Sequence, residues 1–325
     1  MSYNNEKLGV FIVPTGIGAS VGGFAGDASV YAQKFTNLGK IIVNPNVVNA
    51  GGFSGINSNM FYVEGFAIDE FFKNKLTLSE SKNNRIGVVF DKAISKEVLN
   101  IHINTINAVK TVYGINISDY EITKENVGVD FYVDKSGIST GCVKNIKTLL
   151  NSAKKLVDKG CEAIAIVCLF KDEPSAEYEN GKGVDPVGGV EAIISHYITK
   201  ELKVPCAHSP AFEDYEITTK IVNSKAASEY ITPTFLPCIL IGLNNAPKLK
   251  EKGNISVKNI DYLVVPSNAV GSIPVFEAIK NNIPVYAIEE NVTLLNVTNE
   301  SIKQTCGINT IRTYNDCLEL IKNGK

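Results

Sequence analysis

Arginine is nearly missing from this sequence: Arg85 and Arg312 are the only two. Planar, bidentate clamping of carboxylates or phosphates must therefore be rare, leaving backbone N–H groups, hydroxyls and lysines to hold any anion. Basic clusters are missing as well. The formal net charge is -2 and the lysines are scattered, so there is no stripe for a phosphate backbone and no polybasic face for anionic lipid. Nucleic acid and membrane are not expected partners. No apolar run reaches membrane-spanning length, and Met1 to Lys7 is polar rather than signal-like, so the expected setting is soluble and cytoplasmic. Seven cysteines at irregular spacing, with no C-x-x-C pair, fit reduced thiols better than a disulfide framework or a structural zinc site, and no metal is expected.

What is present suits an enzyme-sized folded body: 325 residues, 44% hydrophobic and 20% charged. Short apolar runs alternate with longer helical patterns. Strands are expected at Leu8 to Val13, Ile41 to Val43, Arg85 to Phe90, Ala163 to Phe170, Ile239 to Leu243, Tyr262 to Val265 and Val285 to Ile288. Helices are expected at Asp27 to Asn37, Lys96 to Tyr113, Val143 to Lys159, Pro186 to Leu202, Pro274 to Asn281 and Tyr314 to Asn323. The runs are continuously apolar, as parallel strands covered on both faces require. The fold class is thus α/β and Rossmann-like, with mostly parallel sheets carrying helices on both faces, built either as two similar lobes (1–140 and 141–325) or as one continuous domain.

Two segments echo each other. Val10-Phe-Ile-Val-Pro-Thr-Gly-Ile-Gly-Ala-Ser20 and Tyr262-Leu-Val-Val-Pro-Ser-Asn-Ala-Val-Gly-Ser272 each end a strand and lead toward a helix, offering hydroxyls and bare backbone N–H groups at a strand's carboxyl end. Thr15, Gly16, Gly18, Ser20, Ser267 and Ser272 are the ligand-binding candidates from this pair. The first copy continues in glycines to Asp27, which permits positive φ and close backbone approach. It is no Walker A loop, since no Gly-Lys-Ser/Thr follows, and Gly16-x-Gly18-x-x-x-Gly22 matches the dinucleotide fingerprint loosely. The second strand runs into Asn44-Pro-Asn46 instead of the acid that would hold a ribose. No cofactor is predicted, and NAD or NADP ranks below a smaller metabolite.

Asp185 before Pro186 reads as a helix N-cap, and Gly188 leaves the first turn open, so both are ligand-binding candidates. The Lys171 to Gly183 loop before it is a candidate lid. Of three histidines, His102 and His196 fall inside helices, where a surface or satisfied role is the default. His208, two residues from Cys206 on a short strand, would share a face with the thiol and could activate it, which makes Cys206 and His208 catalytic candidates against a buried, inert alternative. Glu289 and Glu290 follow a strand directly, with Asn291 beside them. A carboxylate there can act as a base or bind hydroxyls, and only one of the two should face a shared site.

Several of these blocks resemble, in order, the bacterial family called domain of unknown function 3326: Val13-Pro-Thr-Gly-Ile-Gly-Ala-Ser20, Pro45-Asn46, Val63-Glu-Gly-Phe-Ala67, Asn84-Arg-Ile-Gly87, Gly183-Val-Asp-Pro186, Ile194-Ser-His196, Pro205-Cys-Ala-His208, Thr234-Phe-Leu-Pro-Cys238 and Glu289-Glu-Asn291. The second block departs from the family pattern in Ala50-Gly-Gly-Phe53. The resemblance implies membership and not a reaction. The expected function is a cytosolic enzyme acting on a small polar, carboxylated or phosphorylated metabolite by thiol or acid/base chemistry of the isomerase, lyase or hydrolase type. The alternatives are an NAD(P)-dependent enzyme and a non-catalytic small-ligand-binding protein. A homo-oligomer stays open.

Overall fold

The computed structural model describes residues 6–171, 176–303 and 307–324. Continuously apolar strands need cover on both faces, and among the described residues they assemble into two parallel sheets. The larger has six strands, in the order Ile308–Ile311, Val285–Ile288, Tyr262–Pro266, Lys7–Phe11, Gly39–Val43 and Met60–Tyr62. The smaller has four, in the order Cys206–Ala211, Ala163–Leu169, Ile86–Phe90 and Ile117–Ile122. Every pairing within them is parallel, which agrees with the Rossmann-like expectation. The two echoing segments are immediate neighbours in the large sheet, Gly9 facing Tyr262 across the ladder. Only glycine fits at that position: a Cβ on Gly9 would lie 2.1 Å from the Tyr262 ring.

The large sheet is made from the two ends of the chain, and residues 80–247 form an insertion that carries the small sheet. Entry and exit pair with each other as a neck, Thr77–Ser79 running antiparallel to Lys248–Lys250. A boundary at residue 140 therefore does not separate the lobes. It cuts the small sheet, whose strands Ile86–Phe90 and Ile117–Ile122 precede it and whose strands Ala163–Leu169 and Cys206–Ala211 follow it. Strand pairing is non-local, so a linear composition reading has no access to which runs become neighbours. Residue 140 itself lies in a short antiparallel hairpin, Val129–Val133 with Ser139–Val143.

One expected strand is a helix. The run Ile239 to Leu243 belongs to Leu236–Asn244, opened by Pro237 in its first turn and by Thr234, whose hydroxyl oxygen accepts from Leu236 N at 3.2 Å. A short, wholly apolar run reads as a strand because a helix buried on all sides loses its polar stripe. This helix joins the lobes. A single hydrophobic cluster passes from Phe11, Val43 and Tyr62 of the large sheet through Leu236, Leu240 and Leu243 to Val88, Phe90 and Val167 of the small one. Its carboxyl end is held by the buried Asn84, whose amide donates to Leu243 O and Ala246 O, both at 2.8 Å. A polar bridge reinforces the junction: His196 Nε2, on helix Gly188–Leu202 of the insertion, lies 2.8 Å from Glu64 Oε1. Glu64 also caps helix Gly65–Phe72 of the large lobe through its other oxygen.

The packing of the joining helix yields a sign reversal that can be measured. Replacing glycine by alanine inside a helix ordinarily stabilises by about 0.5–1 kcal/mol. At Gly242 the new Cβ would meet the fully buried Tyr62 ring at 2.7–2.9 Å, and overpacking of that kind costs about 1–3 kcal/mol. Gly242→Ala should therefore lower the stability measured by urea unfolding rather than raise it.

Candidate functional site

Between the lobes lies a cavity of about 700 Å³, within the range of small-molecule sites. The large lobe contributes Thr15 and the turn Gly23 to Ala25 on one side, with Asn46 beneath them. The insertion contributes Asp185, Glu191 and His208 opposite, the segment from Phe212 to Phe235 as cover, and Cys238 and Ile239 of the joining helix. Tyr178 and Glu179 also reach the wall, so the candidate lid loop does border the cavity, although residues 172–175 lie outside the described part of the chain.

The glycine loop is less open than its sequence suggests, because the protein itself occupies most of its polar groups. Gly16 O accepts from Ser139 N at 2.9 Å, Ile17 O accepts from Leu294 N at 2.9 Å, and Ser20 N donates to Val292 O at 2.7 Å. Gly16 and Gly18 adopt positive φ, +73° and +58°, as expected, but the space above Gly18 is taken by Leu294, 2.7 Å from where a Cβ would sit. Asn44 and Asn46, which stand where a dinucleotide site would carry its acid, are clamps. Asn44 bonds Val13 N and O, and Asn46 donates to Gly22 O at 2.7 Å. The face of the loop that reaches the cavity is Thr15, one of the sequence candidates, together with residues 23–25, which are not among them.

The segment after strand Val285–Ile288 holds this loop through the Glu290 backbone oxygen and Asn291, and the Glu289 and Glu290 carboxylates do not line the cavity. Glu290 Oε1 accepts from Tyr314 N at 2.6 Å, while its backbone oxygen accepts from Ser20 Oγ. Glu289 is exposed. Asn291, 0% exposed, accepts from Val21 N at 3.0 Å and donates to Val21 O and Tyr314 OH, each at 2.8 Å. Ser267 continues the strand ladder, donating to Ile288 O, and Ser272 is the N-cap residue of helix Ile273–Lys280 without a side-chain bond; neither lines the cavity. Gly188 begins helix Gly188–Leu202, and its missing Cβ lets Thr15 and Asp185 approach, both within 2.8 Å of the Cβ position. The donors at that helix head are taken, Val187 N by Asp185 and Gly189 N by Ser139 Oγ, so this terminus is closed to an anion.

Cys206 and His208 share a strand face but do not meet. Cys206 is 1% exposed inside the core of the insertion, burial pushes its thiol pKa well up, and its Sγ–H reaches only the Ala207 carbonyl at 3.9 Å. A thiol so placed is inert. His208 turns instead to helix Gly188–Leu202: Nδ1 lies 3.2 Å from Ser195 Oγ, and Nε2 lies 3.3 Å from Glu191 Oε1. The Ser195 hydroxyl donates to the helix carbonyls of Glu191 and Ala192, so its lone pair receives Nδ1–H and fixes the tautomer. Nε2 then faces a carboxyl oxygen of Glu191. The contact is off hydrogen-bond alignment, which leaves Glu191 Oε1 buried without a hydrogen-bond partner.

Two further carboxyl groups crowd this pair. Asp185 is pushed up to about 7, by burial first and then by the charge of Glu191, against the lowering effect of backbone N–H groups and His208. Glu229 is pushed up to about 8, by burial and then by Asp185, although Ala25 N (2.7 Å) and Tyr178 OH (2.9 Å) donate to it. Asp27, inside the glycine loop, is raised to about 6 by burial despite accepting from Gly22 N and Phe24 N. Desolvation dominates in each case because the cavity walls exclude water from a group whose charge wants it. Glu191 and Glu229 were not singled out from sequence. Glu191 reads as an ordinary acid in a helix's first turn, and Glu229 sits in a segment with no motif.

Against this geometry the similarity of the chain to known proteins can be placed. A family model described as protein of unknown function (DUF3326) matches residues 8–325. The chain belongs to that family. A relative from Synechococcus sp., described as an uncharacterized lipoprotein, is 36% identical over 298 residues, which is 89% of this chain and 83% of that protein. No solved structure matches. Among the described residues, no helix is long and apolar enough to cross a membrane.

Glu229 makes the electrostatics testable. The folded protein keeps its proton to about pH 8, whereas the ordinary value is 4.5. Stability from that proton is complete below about pH 4.5 and is lost as pH climbs to about 8. Glu229→Gln keeps the acceptor for Ala25 and Tyr178 yet never ionises, so its melting temperature should pull ahead of the wild type across that window and run parallel above it. A gap that does not change with pH would contradict the assignment. Asn291→Ala, which strips partners from Val21 and Tyr314, should cost about 2–4 kcal/mol in chemical unfolding at any pH.

Proposed function

We propose that this member of the family is an enzyme that moves protons on a small polar molecule held in the interlobe cavity. The observation that carries the reading is one wall: Glu191, His208 and Ser195, in contact with one another, stand beside Asp185 and Glu229, carboxyl groups whose surroundings keep them protonated near neutral pH. A carboxyl group that keeps its proton can serve as the acid, and a histidine in contact with a second acid as the base, when one cavity holds both. Glu191 with His208 would take a proton from the bound molecule, and Asp185 or Glu229 would return one to a different atom, the net change being an isomerisation or an elimination. Thiol chemistry has little support, since Cys206 is sealed in the core and Cys238, which lines the cavity, is pushed up to about 12 by burial. The closed helix head and the acidic inner wall favour a neutral or cationic ligand over the carboxylated or phosphorylated one that the glycine loop suggested. A cytoplasmic setting is supported by the six described cysteines, all unpaired and five of them buried, which suit a reducing compartment.

A molecule retained through gentle purification and released by extraction would supply the substrate. With it, Glu191→Gln and His208→Ala should each lower kcat by about 100-fold or more, while Cys206→Ala should stay near wild-type turnover. Undiminished turnover in both acid/base variants would remove the mechanism and favour a binding protein.

A further inference from the structure

We infer that the ligand of this cavity carries a protonated amine, whose ammonium group rests against Asp185, Glu191 and Glu229. The inference rests on the reading of the cavity as a ligand site and adds the chemical class. Three carboxyl groups line its inner wall, from the head of one helix and from the covering segment, and His208 is the one side chain there able to carry positive charge. Lys171 and Lys220 also border the cavity, but both are exposed at its edge. Lys225 is committed elsewhere: its Nζ donates to Ser20 O at 2.5 Å, lies 4.0 Å from Asp27 Oδ2, and sits 5.7 Å from the centre of the Phe24 ring.

The second observation is independent of the charge count. Glu191 is 8% exposed and lines the cavity, and its Oε1, 3.3 Å from His208 Nε2 but off alignment with it, has no hydrogen-bond partner among the described residues. A buried carboxylate oxygen left unsatisfied costs about 1–3 kcal/mol or more, and an N–H donor delivered by a ligand removes that cost. The walls are suited to an organic cation. Phe24, stacked on Tyr178 at 4.5 Å, already carries the Lys225 ammonium on its ring, so one combination of ring, carbonyl and carboxylate in this protein holds an alkylammonium. A bare metal ion fits less well, since the described residues contain no group of three His, Cys, Asp or Glu side chains placed to ligate one together. An anion would meet no arginine in the wall.

Binding exchanges protons for the ammonium. Burial first, and then neighbouring carboxylate charge, keeps protons on Asp185 and Glu229 near neutral pH; a cation placed among them favours ionisation of the one it meets, whose proton leaves to solvent, while the other keeps the proton that the proposed chemistry returns. The ionisable side chains that face it are Asp185, Glu191 and His208 on the insertion's inner wall and Glu229 on the cover. Tyr178 stands beside Glu229 and Asp27 beside Lys225, and Glu179, Asp214, Glu216 and Cys238 also line the cavity.

The test uses three probes of matched length on the full chain: 1,4-diaminobutane, 1,4-butanediol and succinate, by calorimetry and thermal shift. The diamine should bind and raise the melting temperature where the diol and the diacid do not. Its affinity should tighten from about pH 6 to about pH 8 with release of protons, and Glu191→Gln should weaken it about tenfold or more. Glu229→Gln, expected to fold at least as stably as the wild type, should weaken it as well. Binding of the diol or succinate in place of the diamine, lost on Glu191→Gln, would overturn the amine and leave the cavity as the ligand site. Silence from all three probes, or diamine binding indifferent to both variants, would overturn the amine and the cavity reading together.

Discussion

Burial of helix Leu236–Asn244 between two sheets is the contact on which the molecule depends. Its apolar surface completes the core of both lobes at once, and hydrophobic burial of this kind is the dominant favourable term in folding. Because the insertion is attached by the narrow neck of Thr77–Ser79 and Lys248–Lys250, its placement would otherwise be weakly determined. The helix, with the Glu64 and His196 bridge, sets how far the lobes stand apart. Cys238 and Ile239 belong to the shared core and to the cavity lining, so the element that fuses the lobes also shapes the space between them.

That space is electrostatically expensive. Asp185 and Glu229 are held against their preference for ionisation, and Glu191 Oε1 lacks a hydrogen-bond donor. Asp185 and Glu229 also accept from Val187 N and Ala25 N, and ionisable groups so strongly perturbed are the kind that cluster at functional sites. The glycine loop plays the supporting part. Asn44, Asn46 and Asn291 fasten it from three sides, and the fastened loop presents Ala25 N to Glu229. Asparagine suits that work because one amide can both accept and donate to a neighbouring peptide group.

Much of the architecture was readable from the residue pattern. The parallel class followed from continuous apolar runs, and helices such as Lys96–Tyr113 appear with the expected limits. The failures have physical causes. Ile239 to Leu243 looked like a strand because full burial erases helical periodicity, and the split at 140 failed because pairing of distant strands leaves no local trace. At the site, Asp185 and His208 were found because both stand beside turn signals, whereas Glu191 and Glu229 were passed over as common surface acids. Cys206, Glu289 and Glu290 were selected on sequence proximity, which fixes neither burial nor direction.

The sequence by itself determined the fold class, the positive-φ turns of the opening glycine loop and membership in the family, because each depends on local preference or on ordered motifs, whereas the helix expected to be capped by Asp185 starts at Gly188 with Val187 as its N-cap. Only the tertiary structure decided which acids share a cavity, which thiol is sealed and which histidine meets a carboxylate. Those outcomes depend on how much water reaches each group, and water exclusion is a property of walls drawn from distant parts of the chain.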